Sequence, residues 1–428
     1  MKFKISASVF ADAITPILEV SQKGGLKDFD GLKKININVD EDAVYVSAYN
    51  GNLAITKNID VALTDHLDFE FEEEGEVATD AEQLKSALCS FPPGEVILVE
   101  LKASGASKEL QIKSSTDTDQ FQAVLCFTDI LDLPTAATTF KKEISIDRAV
   151  FLSSVERIKF AFGYEEERGN GEFLYWVMRA RKDSLRFASG TSGVFAILDI
   201  EGDKIYSSSG SDFDILFLNS YMPLLLGILG KTDSEKISIK VSDSSNYQII
   251  ISSKDFDITL LGLNPSIEWI DEDAILKKKY PFKIVTSIKD WNYASKGISA
   301  TYTSEMKKQG QIHKTLMEAD FTKKILTVKS DNQIKALRKI KIIDGEYPDP
   351  NSQVCKSATY SNYILDTMAA TKKEGNIQME FSGETGKKPI FIYFDAGDKV
   401  MDETTLTSTN IINGCTEKFT VFFVQTSF

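Results

Sequence analysis

Apolar and polar positions alternate along this chain in short strand-like runs, broken at regular distances by stretches with helical spacing. Phe3-Lys4-Ile5-Ser6 leads into Val9-Phe10-Ala11-Asp12-Ala13-Ile14. Lys142-Glu143-Ile144-Ser145 leads into Val150-Phe151-Leu152-Ser153-Ser154-Val155, and Phe282-Lys283-Ile284-Val285 into Ile288-Lys289-Asp290-Trp291. Each reads as a strand followed at once by an amphipathic helix. With Ile5, Ile144 and Ile284 taken as equivalents, the spacings are 139 and 140 residues.

A second series keeps the same period. Leu84 and Leu88, Leu224 and Ile228, and Ile364 and Met368 are i, i+4 pairs set 140 residues apart, a spacing that places both side chains on one helix face. A turn and a strand follow each, with Val96, Ile237 and Ile377 at intervals of 141 and 140. Between the helices lie β-prone runs: Ile35, Ile37 and Val39, then Val44 and Val46, Tyr247–Ile251 and Ile390–Phe394. The pattern predicts an α+β chain of three tandem copies of a two-helix, antiparallel-sheet domain, over residues 1–138, 139–279 and 280–428, with helices on one face of the sheets. The boundaries fall in Pro-bearing stretches of weak periodicity, near Pro134–Ala137 and Lys277–Pro281.

The first helix carries Pro16, which is expected to kink or shorten it. The helix from about Asp147 to Phe162 places Phe151, Val155, Ile158 and Phe162 on one stripe, with Arg157 away from it and Lys159 on its flank. Lys23 ends the first helix, Lys289 and Lys296 lie on the third domain's first helix, and Lys372 and Lys373 end the helix that begins at Ser361. Each domain thus sets bases on or beside exposed helix faces.

Composition narrows the function. A net charge of −14 over 428 residues argues against gripping nucleic acid over the whole surface, but leaves room for a basic lining. Acidic runs such as Glu70–Glu74 and Glu165–Glu167 read as solvated faces or loops. No apolar stretch is long enough to span a membrane, and no apolar segment follows the charged start, so the cytoplasm is expected. Cys89, Cys126, Cys355 and Cys415 form no CxxC pair and read as buried thiols rather than zinc ligands; His66 and His313 read as solvated surface. No metal site and no cofactor is expected. Phosphate-loop, dinucleotide, HExxH and GxSxG motifs are absent. Two alternatives remain open at this point: a β-rich repeat protein of structural or adhesive role, and a carboxylate-dependent hydrolase.

Several local runs resemble the bacterial DNA sliding clamps, the β subunits of DNA polymerase III. Thr15-Pro16-Ile17-Leu18-Glu19-Val20-Ser21 looks like that family's first helix, and Asn362–Met368 like its last. Leu185-Arg186-Phe187-Ala188-Ser189-Gly190-Thr191-Ser192-Gly193-Val194-Phe195-Ala196 stands where the family has Leu-Arg-x-x-Ala-Thr-Asp-Gly-His-Arg-Leu-Ala. The chain departs from the family at the Asp-Gly-His-Arg core and at its C-terminus, Val424–Phe428, as a divergent or phage-encoded member would. The resemblance implies the DNA clamp fold, a ring-forming homodimer, and a non-catalytic processivity factor. Its partners would be double-stranded DNA, held topologically and without sequence preference, and a polymerase and clamp loader docking through short peptides. It also implies a hydrophobic groove between the second and third domains. Carried over position by position, the groove would use Leu174, Gly190, Ser192, Gly193, Val194, Phe195, Pro265, Trp269, Ile270, Phe422, Val424, Gln425 and Thr426. The DNA-facing bases would be Lys23, Arg157, Lys159, Lys289, Lys296, Lys372 and Lys373. The polar stretch between Asp395 and Phe419 reads as a long loop.

Overall fold

The computed structural model describes residues 1–22, 33–60, 69–104, 107–115, 122–163, 171–181, 184–201, 206–209, 212–232, 234–242, 247–261, 267–277, 280–301, 314–330, 336–348, 353–360, 375–381, 390–395, 408–412 and 415–423. Lys23, His66, Pro265, His313, Lys372, Lys373, Val424, Gln425 and Thr426 lie outside these residues, as does the expected helix from Ser361.

In chain order the elements begin with β1 (Lys2–Ser6), α1 (Ala7–Gln22), β2 (Lys34–Val39), β3 (Ala43–Tyr49), β4 (Leu53–Asp60), β5 (Glu70–Glu73), β6 (Gly75–Asp80), α2 (Ala81–Leu88), β7 (Val96–Ser104), β8 (Ser107–Ser114) and β9 (Gln122–Thr128). Next come β10 (Phe140–Asp147), α3 (Arg148–Ile158), β11 (Tyr175–Ala180), β12 (Ser184–Gly190), β13 (Val194–Glu201), β14 (Tyr206–Ser209), β15 (Phe213–Leu218), α4 (Met222–Leu229), β16 (Lys236–Ser242), β17 (Ile249–Ser252), β18 (Phe256–Leu260) and α5 (Glu272–Leu276). The last are β19 (Phe282–Ser287), α6 (Ile288–Ser299), β20 (Lys314–Asp320), β21 (Ile325–Ser330), β22 (Leu337–Lys341), β23 (Asp344–Glu346), β24 (Val354–Tyr360), β25 (Asn376–Phe381), β26 (Ile390–Asp395), β27 (Ser408–Ile412) and β28 (Cys415–Phe423).

The period seen in the sequence is kept by backbone hydrogen bonds. The first residue of each opening helix donates its N–H to the carbonyl just before a later strand: Ala7 to Glu95 (2.9 Å), Arg148 to Glu235 (2.8 Å), Ile288 to Gly375 (2.9 Å). The strands they close pair antiparallel, ending on Ser6 opposite Val96, Asp147 opposite Lys236, and Ser287 opposite Asn376. In this frame the equivalent of Ile144 and Ile284 is Phe3, not Ile5. A slip of two keeps a strand residue on the same face, and Phe3 and Ile5 are both fully buried, so the apolar pattern alone does not distinguish them.

The first compact unit comprises Met1–Leu152, Ser207–Gly210 and Ser220–Pro265. Its sheet runs β14-β10-β16-β17-β18-β4-β3-β2-β6-β9-β8-β7-β1-β5. Helix α1 buries Phe10, Ala13, Ile14, Ile17, Leu18 and Val20 and runs unbroken through Pro16. A mid-helix proline costs about 3 kcal/mol, and the burial of this stripe outweighs that. Asp80 caps α2, accepting from the N–H groups of Glu82 (3.0 Å) and Gln83 (2.9 Å). The acidic run at 70–73 is an edge strand rather than a loop, tied to β1 by Lys2–Glu72 (2.5 Å) and Lys4–Glu70 (2.6 Å). Such charges suit an exposed edge.

The second unit comprises Ser153–Tyr206, Ser211–Asn219 and Ser266–Phe428. One sheet runs β15-β11-β12-β13-β28-β26-β25-β19-β23, with β27 on β28; a second runs β22-β21-β20-β24. Trp176 is fully buried and stacks on Phe217 (4.4 Å between ring centres), Phe187 (6.0 Å) and Phe162 (6.5 Å). The expected α3 stripe is buried at Phe151, Val155, Ile158 and Phe162. Two expectations fail. Cys89 and Cys126 are exposed and Cys355 alone is buried among the cysteines whose side chains are described; a small thiol is tolerated on a strand edge or helix end. The stretch read as loop after Asp395 contains β27 and the start of β28; Thr409, Ile411 and Ile412 supply β-branched side chains that its polar composition masks.

Candidate docking site

The β12–β13 hairpin is closed by Thr191, whose hydroxyl accepts from the N–H groups of Gly193 (3.2 Å) and Val194 (3.1 Å). Beyond the turn Gly190 stands opposite Phe195. A β-carbon on Gly190 would lie 2.4 Å from the Phe195 ring, so glycine is what lets that ring lie flat over the neighbouring strand. Gly190→Ala is expected to cost about 1–3 kcal/mol, because Phe195 is itself held edge-on by Phe173 at 5.6 Å. Chemical denaturation of this variant against the parent checks it.

One face of this sheet is divided in two. Alternation puts Val177 and Arg179 of β11, Ala188 and Arg186 of β12, Phe195, Ile197 and Asp199 of β13, and Leu216 and Asp214 of β15 on that face. The upper half is apolar: Phe173, Val177, Ala188, Phe195, Ile197 and Tyr280 form a buried cluster, and Leu216, Trp269, Ile270 and Leu276 pack on it half-buried. The lower half is a row of charges, Asp214–Arg179–Arg186–Asp199, each opposite the next.

The charged row fastens the segment that covers the apolar half. Arg179 pairs with Asp214, reaches Glu272 at 2.9 Å and donates to the Ile270 carbonyl at 3.3 Å. Arg186 grips Asp199 (2.6 Å) and Asp273 (2.6 Å). Glu272 is buried and accepts from the Trp269 indole N–H at 2.6 Å. Burial raises the Glu272 carboxyl above the ordinary glutamate range, against the pull of Arg179. The Asp273 carboxyl is lowered, first by its hydrogen bond from Arg186. Beside Trp269 opens a cleft of about 520 Å³ lined by Arg179, Arg181, Ser184, Arg186, Asp199, Glu201, Trp269, Asp271, Glu272 and Asp273. The expected groove is hydrophobic; among the described residues the apolar patch is covered and the open concavity is charged.

The structure therefore brings together Gly190, Phe195, Trp269 and Ile270, with the Phe422 backbone opposite Phe195. Ser192 is exposed and Gly193 buried at the hairpin turn. Val194 is buried on the other face of β13, with Ala196 and Leu198, and Leu174 is half-buried next to Phe173, the residue that joins the cluster. Sequence reading missed Phe173, Val177, Ile197, Tyr280 and the Arg179–Glu272 pair. Of the expected bases, Lys159, Lys289 and Lys296 are exposed and Arg157 is half-buried; Lys159 pairs with Glu156.

No family model and no curated protein sequence matches the chain. Solved structures do, over their whole length. A DNA polymerase sliding clamp from Bacillus subtilis superposes with a TM-score of 0.78 at 14% identity, covering 100% of this chain and 99% of that one. This chain has the fold of the bacterial DNA sliding clamps. The β subunit from the DNA polymerase of Streptococcus pyogenes (TM-score 0.76, 14% identity) and DNA polymerase III subunit β from Pseudomonas aeruginosa (0.76, 12%) match with 100% of both chains covered. At such identity the clamp fold is carried by apolar pattern, turn chemistry and strand register rather than by shared residues. Here Gly190 and the Thr191 hydroxyl shape the β12–β13 hairpin, and Arg179 and Arg186 fasten the segment over the apolar half.

Proposed function

We propose that the chain is a DNA polymerase processivity factor, a non-catalytic ring of two copies that encircles duplex DNA and tethers the polymerase. The observation that carries this is the full-length match to sliding clamps, with 99–100% of both chains covered. The domains proposed are 1–138, 139–279 and 280–428, and the location the cytoplasm; no described helix is long and apolar enough to cross a membrane.

Strand register supports the ring. In the first unit β18 pairs with β4, placing Thr259 opposite Ala54. In the second unit β28 pairs with β13, placing Phe422 opposite Phe195. Following the repeat, the equivalents of β18 and β28 in the first copy, and of β4 and β13 in the third, are β9 and β22. Their corresponding residues are Val124 and Leu337. Ala54 and Phe195 are buried, whereas Val124 is 51% and Leu337 59% exposed. Among the described residues, the 122–126 part of β9 pairs only with β8 and β22 only with β21; these two apolar-bearing edges, one in the first copy and one in the third, are what a head-to-tail pair of copies would join.

The test is topological. Protein dissociated by dilution and reassembled on a nicked circular duplex should stay bound, and linearising the circle should release it. Replacing Arg157, Lys159, Lys296, Lys372 and Lys373 by alanine should shorten retention and flatten its salt dependence, because these bases would meet phosphate alone. Equal retention on circular and linear DNA, or light scattering that finds only the 47.6 kDa monomer at every concentration, would overturn the reading.

A further inference from the structure

We propose that Glu272 is a positioning residue: backed by Arg179, its carboxylate latches the Trp269 indole across the apolar cluster and so sets how far that cluster is open to a docking partner. This rests on the docking reading given above. Trp269 packs on the cluster of Phe173, Val177, Phe195 and Ile197, while its N–H points to the Glu272 carboxylate at 2.6 Å. Glu272 is only 2% exposed, and its other oxygen is held by Arg179 at 2.9 Å. Arg179 is in turn fixed by Asp214 and by the Ile270 carbonyl. The carboxylate is thus held at both oxygens, and the indole, half-buried at the edge of an open cleft, is the less enclosed partner of the pair. A partner's apolar side chain reaches the cluster when Trp269 turns aside, and a residue that never meets the partner governs that step.

The chain has three tryptophans, and Trp176 and Trp291 are 0% and 1% exposed. Acrylamide quenching of indole emission in the full chain therefore reports Trp269, and 1-anilinonaphthalene-8-sulfonate reports an uncovered cluster. In Glu272→Ala the ratio of open to closed indole is expected to rise roughly fivefold, the change that losing one hydrogen bond gives, with more quenching and more dye bound. Glu272→Gln keeps an oxygen acceptor for the indole and should return both signals to near the parent's. Unchanged quenching and dye binding in Glu272→Ala, with a lowered melting temperature, would overturn the proposal by showing a purely structural role. If that variant does not fold, Trp269→Phe decides, since it keeps an aromatic cover without the N–H: dye binding must rise, and an unchanged signal overturns the latch. These readouts need no partner, so a polymerase that docks elsewhere would remove the docking reading while leaving the latch measured.

Discussion

Leu337→Arg is expected to leave a folded monomer at concentrations where the parent forms dimers. Leu337 is exposed in the single chain, so the substitution should move the unfolding free energy by no more than about 0.5 kcal/mol. In the proposed joint it would face Val124 of the second copy, because Thr259 faces Ala54 and Phe422 faces Phe195 at the two equivalent junctions within the chain. An arginine there brings an unpaired charge into an apolar contact, which costs on the order of 3–5 kcal/mol and weakens each joint roughly 150- to 5,000-fold. Val124→Arg should do the same from the other side of the joint. Sedimentation velocity on both variants checks this, and retention on circular DNA should fall in parallel. Parent-like dimers in both variants would mean that the chain closes by some other surface, or not at all.

Legibility of the sequence followed the strength of the physical signal. Helix pairs such as Leu84 and Leu88, or Leu224 and Ile228, are visible because i, i+4 burial has few alternatives, and all four are buried. The strand equivalence of Ile5 with Ile144 slipped by two because a two-residue shift preserves the face. Pro16 does not shorten α1, because the packing of Phe10, Ile14 and Ile17 overrides local propensity. Within the candidate site, alternation alone puts Val194 and Phe195 on opposite faces of β13. Phe173, Val177 and Ile197 look like any core residues until strand register shows which face they share. The Arg179–Glu272 pair joins residues 93 positions apart, and no local pattern announces it. The charged residues Arg179, Arg186, Asp199 and Asp214 on strand-like runs were the one available hint, since each arginine stands opposite a carboxylate on a neighbouring strand.

Phe195→Ala and Trp269→Ala should separate core from docking surface within a single apolar patch. Phe195 is 6% exposed, lies edge-on to Phe173 and fills the space that Gly190 leaves open. Truncating it removes a buried ring and leaves a void, a loss of about 3–5 kcal/mol in stability. Trp269 is half-buried and sits on top of the same cluster, so its removal should cost less stability, on the order of 1–2 kcal/mol. Its main effect should be on a partner: once turned aside from the cluster, the indole packs on the docked peptide, where aromatic residues carry binding energy out of proportion to their area, and Trp269→Ala should weaken that peptide by roughly 1–3 kcal/mol. Phe422→Ala, at the position opposite Phe195 in the strand register, is expected to weaken the same peptide. Calorimetric melts and titrations with peptides from the replicative polymerase, run on the same preparations, check both halves. A Trp269→Ala protein that binds the peptide as tightly as the parent but melts much earlier would make the indole a part of the core, and would place the tether elsewhere on the chain.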